Sequence, residues 1–402
     1  MITLDDVKAA QERLKGVIKH TSFSYAPHLS RQAGAEVYIK KENLQNTGAF
    51  KIRGAFNKIS TLTDEEKARG VIAASAGNHA QGVAFSAAHY GIKAFIVMPE
   101  ATPLLKVNGT KALGAEVILH GNSYDEAYAY AQKYAAENNL TFIHPFTDEQ
   151  VIAGQGTLAL EMLEEVEDLD VLLVPIGGGG LISGIAVAAK SINPNIKVIG
   201  VTAAGAPAMR NSFLAKKPQD SLGVKTIADG IAVRDTAIET YKYIVEFVDD
   251  IIAVDDEEIA NAILFLIERQ KLVVEGAGAV GVAAILHDLV AFAQGQKVGV
   301  VLSGGNIDVT MISLIIEKGL QKSFRKMSLT VTLIDKPGSL TRLSEIFEER
   351  RANIVQIAYD RTSHLLEFGD ANVSVSLETK GAEHQQEIRD ALKAHGFKFT
   401  EE

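Results

Sequence analysis

Four consecutive glycines, Gly177 to Gly180, stand between an apolar β-rich run, Asp170 to Ile176, and a helical run that begins at Leu181. Four glycines carry a backbone-entropy cost without a packing return, so a bare flexible turn explains them poorly. A strand that feeds a glycine loop and then a helix collects free N–H groups and a helix N-terminus at one spot, which suits a phosphate. Which phosphate is a separate question. A dinucleotide site wants an acidic residue about 20 positions further on, and here the next strand ends Gly200-Val201-Thr202-Ala203. A P-loop wants Gly-Lys-Ser/Thr, and here Leu181-Ile182-Ser183 follows. Both nucleotide readings weaken, and a simpler phosphate remains. The stretch Val171 to Ala189 is uncharged and close to the length of a membrane span. Pro175 and the glycines favour a buried strand, loop and helix instead.

The strand-then-helix order repeats. β-rich runs at Glu36 to Lys40, Val71 to Ser75, Ala94 to Met98, Glu116 to Leu119, Val171 to Ile176, Lys197 to Thr202 and Val298 to Leu302 alternate with helical patterns. That alternation predicts α/β architecture with parallel sheets and crossover helices. Near Gly319 the pattern stops at a basic stretch, Lys318, Lys322, Arg325 and Lys326, and a new order follows. It reads strand Leu329 to Ile334, helix Ser339 to Arg351, strands Ile354 to Arg361 and Ala371 to Glu378, helix Ala382 to His395, and strand Phe397 to Thr400. This βαββαβ order is the ferredoxin-like split motif. A catalytic body over 1–320, a linker over 321–328 and a small domain over 329–402 are expected, in keeping with a length of 402 residues.

Composition narrows the chemistry. A net charge of −10 gives no general support for a nucleic-acid or anionic-membrane surface, so a small-molecule substrate is the better expectation. The absence of cysteine removes disulfides, thiolate nucleophiles and Cys-based metal sites together. Met1 to Gly16 reads as an amphipathic helix capped by Thr3 rather than as a signal peptide, and a cytoplasmic location is the default.

Three further loops carry candidate chemistry. Asn46 to Gly54 is a polar turn entering a helix with Lys51 in its first turn, beside Phe50. A lysine there opposes the helix dipole, and in a desolvated pocket it is tuned toward a neutral nucleophile; read alone, it is more often a surface lysine. Ser75-Ala76-Gly77-Asn78-His79 follows a strand and enters a helix, either holding a carboxylate or merely capping. His79 alone reads more readily as a structural hydrogen-bonding residue than as a base. Ser303-Gly304-Gly305-Asn306 follows the strand Val298 to Leu302. Open α/β sheets bind ligands beyond the carboxyl ends of their strands, so these loops should converge.

Taken in order and spacing, Ala49 to Ala55, Ser75 to Gly82, Gly177 to Leu181 and Ser303 to Asn306 resemble the fold type II pyridoxal-phosphate enzymes of the threonine and serine dehydratase family. The likeness extends through His144-Pro145-Phe146, Ala153 to Thr157 and Thr226 to Gly230, and so spans the body. It implies two parallel-sheet subdomains like those of the tryptophan synthase β subunit. The tail, with Asp335-Lys336-Pro337-Gly338-Ser339-Leu340, is similar to an ACT regulatory domain, and body plus tail resemble the shorter threonine ammonia-lyases.

The resemblance assigns roles. Lys51 would anchor pyridoxal 5'-phosphate covalently and then act as the base. Phe50 would pack on the ring, Asn78 would bond the ring hydroxyl, Gly177, Gly178, Gly179, Gly180 and Leu181 would cradle the phosphate, and Ser303 would face the pyridine nitrogen. Ser75, Ala76, Gly77, Asn78 and His79 would surround the substrate carboxylate. The implied reaction is β-elimination of L-threonine to 2-oxobutanoate and ammonia, with L-serine to pyruvate as a secondary activity. Effector binding near Gly338 and Ser339, and a homo-oligomer, dimer or tetramer, are expected of the tail. Rival readings are a serine dehydratase or racemase on the same scaffold, or an amino-acid sensor without catalysis. In related serine racemases a second serine stands where this chain has Ala76. Related enzymes often carry acidic residues, some of them in a divalent-metal site, where this chain reads Thr202-Ala203-Ala204-Gly205, so no metal is expected there. Glu275 either lines the site or caps the following helix.

Overall fold

Thr3 opens the first helix, Leu4–Leu14, through a reciprocal cap: its hydroxyl accepts from the Asp6 N–H, and the Asp6 carboxylate accepts from the Thr3 N–H at 2.8 Å. Val7, Ala10 and Leu14, spaced along one face, are buried. The computed structural model describes residues 1–364 and 366–401, which divide into two compact units, Met1–Asp308 and Val309–Glu402.

In chain order the strands of the first unit are β1 Phe23–Tyr25, β2 Glu36–Lys41, β3 Val71–Ala74, β4 Ala94–Met98, β5 Glu116–Leu119, β6 Thr141–Phe142, β7 Val171–Pro175, β8 Lys197–Ala203, β9 Asp250–Val254 and β10 Lys297–Leu302. They form two sheets. One runs β1-β2-β10-β7-β8-β9, parallel throughout except for β1 against β2; the other runs β5-β4-β3-β6 and is all parallel. Every residue of β3, β4 and β7 is buried, as strands covered by helices on both faces must be. The uncharged stretch from Val171 is β7, the glycine loop and the helix Gly180–Ile192, which starts one residue earlier than expected. Among the described residues no helix is long and apolar enough to cross a membrane.

The helix Glu149–Glu165 is the spine of this unit. Its Gly154 meets the helix Lys51–Ser60 so closely that an added Cβ would lie 2.6 Å from the Arg53 carbonyl oxygen. On the helix Gly180–Ile192, an added Cβ at Gly184 would lie 2.3 Å from the Ile152 carbonyl oxygen. Beside these contacts lies a buried ion network: Arg53 donates to Glu42 at 2.8 Å and to Glu161 at 2.6 Å, and Lys40 meets Glu161 at 2.6 Å. Burial works against the Arg53 charge, but the two carboxylates outweigh it and hold the guanidinium firmly protonated.

The second unit begins with the helix Val309–Lys322 and continues through β11 Lys326–Ile334, the helix Ser339–Glu349, β12 Asn353–Asp360, β13 Asp370–Glu378, the helix Ala382–Ala394 and β14 Lys398–Glu401. The antiparallel sheet order, β12-β13-β11-β14, is that of a split βαββαβ fold. Leu329, Val331, Val373 and Val375 face Leu343, Phe347, Ile388 and Leu392 in its core. Hydroxyl pairs such as Thr330 with Ser374, 3.1 Å apart, occupy the opposite face. The stretch expected as a linker, 321–328, is mostly structured: the helix runs to Lys322, β11 starts at Lys326, and Lys326 pairs with Glu317. The compact unit therefore starts before the boundary at 320 that composition suggested. Basic residues suit the last turn of a helix as well as a loop, so their clustering did not mark a break.

Candidate active site

The carboxyl ends of β3, β7 and β10 open onto one cavity of about 1020 Å³. Its walls include Phe50, Lys51, the loop Ser75 to His79, Gly177 to Leu181, Glu275 and Ser303. The body residues singled out in the sequence are thus brought together from both sheets. Gly338 and Ser339 lie in the second unit, where Gly338, at φ +88, precedes the helix Ser339–Glu349.

Lys51 is the first residue of its helix and is half-buried in the cavity wall, rather than on the open surface that the residue read alone suggested. Its Nζ donates to the Pro145 carbonyl at 3.0 Å and lies 5.4 Å from the centroid of the Phe50 ring. Desolvation lowers its pKa from 10.5 to about 8, partly opposed by the nearby Glu275 charge. About a tenth of the amine is therefore neutral at pH 7, far more than for an unperturbed lysine, as a nucleophile or base requires.

The loop after β3 enters the helix Asn78–His89, whose first N–H groups have no intrahelical partner. The His79 ring is engaged away from base chemistry: Nε2 meets the Ile143 carbonyl at 2.8 Å, and burial, followed by the Lys51 charge, lowers its pKa to about 3. His79 thus contributes a neutral ring to the packing and a backbone N–H to the helix start. His144 is also held neutral, its pKa lowered to about 4 by burial and by Lys51; its Nδ1 accepts from the Thr147 N–H at 3.0 Å. Asn78 Nδ2 donates to Glu275 Oε1 at 2.7 Å, and Asn78 Oδ1 accepts from Asn306 Nδ2 at 2.8 Å. Ser303 is anchored through its carbonyl, which accepts the Phe50 N–H at 3.0 Å.

The expected cofactor can be tested against the glycine loop. A Cβ at Gly177 would stand 2.7 Å from Ile231 Cα, one at Gly178 2.6 Å from the Phe146 ring, and one at Gly180 2.8 Å from the Phe146 carbonyl oxygen. Side chains are excluded, so the loop offers backbone alone. Gly179 sits at φ +89 as the residue before the helix, and Thr240 Oγ1 ties the loop by donating to the Gly178 carbonyl at 2.7 Å. A helix start without side chains suits a phosphate, and a desolvated amine with a low pKa suits an aldehyde. Pyridoxal phosphate fits this donor set.

Sequence reasoning missed several groups. Arg234 Nη1 donates to Asp125 at 2.7 Å, and Lys106 meets Asp229 at 3.2 Å, all four residues lining the cavity. Arg234, Asp125 and Lys106 look like ordinary solvated charges in the sequence, and Asp229 stood out only as part of the Thr226 to Gly230 run. The Pro145 carbonyl is a backbone group, for which no side-chain pattern exists; only the His144-Pro145-Phe146 run pointed to its neighbourhood.

Comparison with known proteins agrees with this geometry. The profile of the pyridoxal-phosphate dependent enzymes matches residues 14–304. An L-threonine ammonia-lyase of Thermotoga maritima is 50% identical over 397 residues, covering 99% of this chain and 98% of its own. The processed form of threonine deaminase isoform 2 from Solanum lycopersicum shares the fold at TM-score 0.74 and 36% identity, over 78% of this chain and 86% of that one. Maize serine racemase aligns at TM-score 0.75 and 36% identity, over 80% and 98%. With a lysine, a glycine cradle and a serine gathered from the ends of three parallel strands and their flanking turns, the chain belongs to the pyridoxal-phosphate-dependent enzymes, in the branch of the L-threonine ammonia-lyases.

Proposed function

We propose that the chain catalyses β-elimination of L-threonine to 2-oxobutanoate and ammonia, with L-serine to pyruvate as a slower reaction, in the cytoplasm and as a homo-oligomer. The observation that carries the reading is the desolvated Lys51 amine, its pKa lowered to about 8, in the same cavity as the glycine cradle. Gly177 to Leu181 would hold the cofactor phosphate, Phe50 would flank the ring, Asn78 would meet its hydroxyl, and Ser303 would face its nitrogen with a neutral hydroxyl. Bound pyridoxal phosphate supplies an electron sink for the bond broken at the substrate Cα.

The chain's own residues do the rest. The loop Ser75, Ala76, Gly77, Asn78 and His79 receives the substrate carboxylate at a helix start, which fixes the direction of the Cα–H bond. Lys51 Nζ, steadied by Pro145, takes the Cα proton and, as an ammonium, returns it to the β-hydroxyl, which leaves as water. The released enamine tautomerises and takes up water to give the keto acid and ammonia. Measuring keto acid from the holoenzyme with threonine and with serine tests the reading, and the absence of product from both would overturn it.

The second unit is proposed as an ACT-type regulatory domain, with a branched-chain amino acid held near Gly338 and Ser339. The split βαββαβ topology and the partly exposed edge strand β12, with Val355, Ile357 and Tyr359, support pairing with another copy.

A further inference from the structure

Glu275 occupies the N-cap position of the helix Gly276–Leu286, with extended backbone at φ −74 and ψ 165, yet its side chain makes no cap hydrogen bond. A carboxylate in this position ordinarily accepts an N–H of the first turn. Here it turns into the cavity wall, 3% exposed. Its Oε1 and Oε2 lie 2.7 and 3.0 Å from Asn78 Nδ2. The two N–H bonds of an amide diverge too widely to meet one carboxylate together, so one N–H is shared between the oxygens and the other is left for a different acceptor.

The far side of the amide is fixed as well. Asn78 Oδ1 accepts from Asn306 Nδ2 at 2.8 Å, and the same nitrogen donates to the Thr47 carbonyl at 2.8 Å. The Asn306 backbone N–H donates to Glu275. Rotating the Asn78 amide by half a turn would set its oxygen against the carboxylate and its NH2 against the Asn306 NH2, so the chain of bonds admits one orientation. The space around the carboxylate is equally specific: a Cβ at Gly304 would lie 2.6 Å from Oε1, and one at Gly230 3.2 Å.

Burial raises the Glu275 pKa from 4.5 to about 7, opposed by Asn78 and reinforced by Asp229. The Asn306 N–H and Lys106 act in the stabilising direction, and Lys51 faces it across the cavity. A glutamine would fill the same space and accept the same Asn78 bond, so packing alone gives no reason for a buried charge here.

We propose that Glu275 is a positioning residue for the cofactor, acting through Asn78: it holds one Asn78 N–H so that the other is aimed at the ring hydroxyl, and its charge biases that hydroxyl's proton. The proposal rests on the cofactor reading above. Wild type, Glu275→Gln and Glu275→Ala are compared as holoenzymes by the pH dependence of cofactor absorption and by cofactor affinity from equilibrium dialysis. Apoprotein melting serves as the check on folding. In wild type the absorption should change with a midpoint near 7. Glu275→Gln should retain cofactor but lose that change, with kcat reduced about tenfold and KM little altered, the scale of one charged hydrogen bond. Glu275→Ala should in addition bind cofactor about tenfold more weakly as Asn78 loosens. A wild type with cofactor absorption whose pH response survives in Glu275→Gln overturns the proposal while leaving the cofactor reading intact. A wild type without any cofactor band overturns both.

Discussion

Lys51 Nζ donates to the Pro145 carbonyl oxygen across 3.0 Å, so the amine proposed to react is aimed by a group that cannot change its own protonation state. Lys51→Ala should therefore remove the amine without disturbing what surrounds it, because alanine suits a first helical turn. Turnover should fall at least about a thousandfold, within the range for loss of a positioned acid–base group. Cofactor should no longer become fixed to the protein by borohydride. Near-native turnover in this variant would refute the role of Lys51.

The pKa of Lys51, lowered to about 8, fixes the direction of a pH effect. Only the neutral amine attacks an aldehyde, and its share rises with pH. The rate at which apoprotein takes up pyridoxal phosphate should climb through a midpoint near 8 and level off above it. Stopped-flow absorbance measures this directly. A rate still rising steeply at pH 10 would mean that the amine is not desolvated.

Reaction choice turns on Ala76, which lines the cavity in the loop after β3. Racemisation needs a proton-exchanging group on each face of the carbanion, and a methyl group cannot serve. Chiral chromatography after incubation with L-serine should find pyruvate and negligible D-serine. Ala76→Ser should introduce measurable D-serine; substantial D-serine from the unmodified protein would defeat the argument.

If the second unit carries effector control, removing it whole, residues 309–402, should leave an active body that ignores isoleucine and valine. Full-length protein titrated with these amino acids should show an affinity change for threonine of roughly 5- to 150-fold, the usual span of allosteric coupling. Threonine kinetics indifferent to every branched-chain amino acid would instead assign the unit a structural role.

The Arg53 network predicts a stability effect remote from the chemistry. Arg53→Met leaves Glu42, fully buried, and Glu161, 7% exposed, without the guanidinium between them. Breaking a buried pair from one side costs about 3–5 kcal/mol. The denaturant midpoint of the apoprotein should fall clearly, whereas Glu42→Gln with Arg53→Met together should recover part of the loss.

Legibility in the sequence followed signal length. β4 and β5 were bounded to the residue, and β2, β3, β7, β8 and β10 to within one, because each holds three or more consecutive apolar or β-branched residues between clear breaks. β1 has three residues and β6 two, too short for any periodicity, and β9 hides its Ile251 and Ile252 between acidic pairs. The site was readable wherever glycine, serine or asparagine follows a strand. It was not readable where partners are distant: Lys51 and Pro145 are 94 positions apart, and Asn78 and Glu275 are 197 apart. The reading of Glu275 as either a cap or a cavity residue is resolved by the missing cap bond, a three-dimensional fact.

The contacts of Gly154 and Gly184 with neighbouring backbones make the helix Glu149–Glu165 a gauge block. The helix that delivers the amine and the helix that begins at the glycine loop both rest on it, main chain against main chain, within one turn of each other. The spacing between those two helices is therefore metered by rigid peptide units instead of adjustable side chains, and it is inherited from positions with no reactive atom. A larger residue at either glycine would act as a shim, resizing the workplace of the reaction without touching any group that performs it.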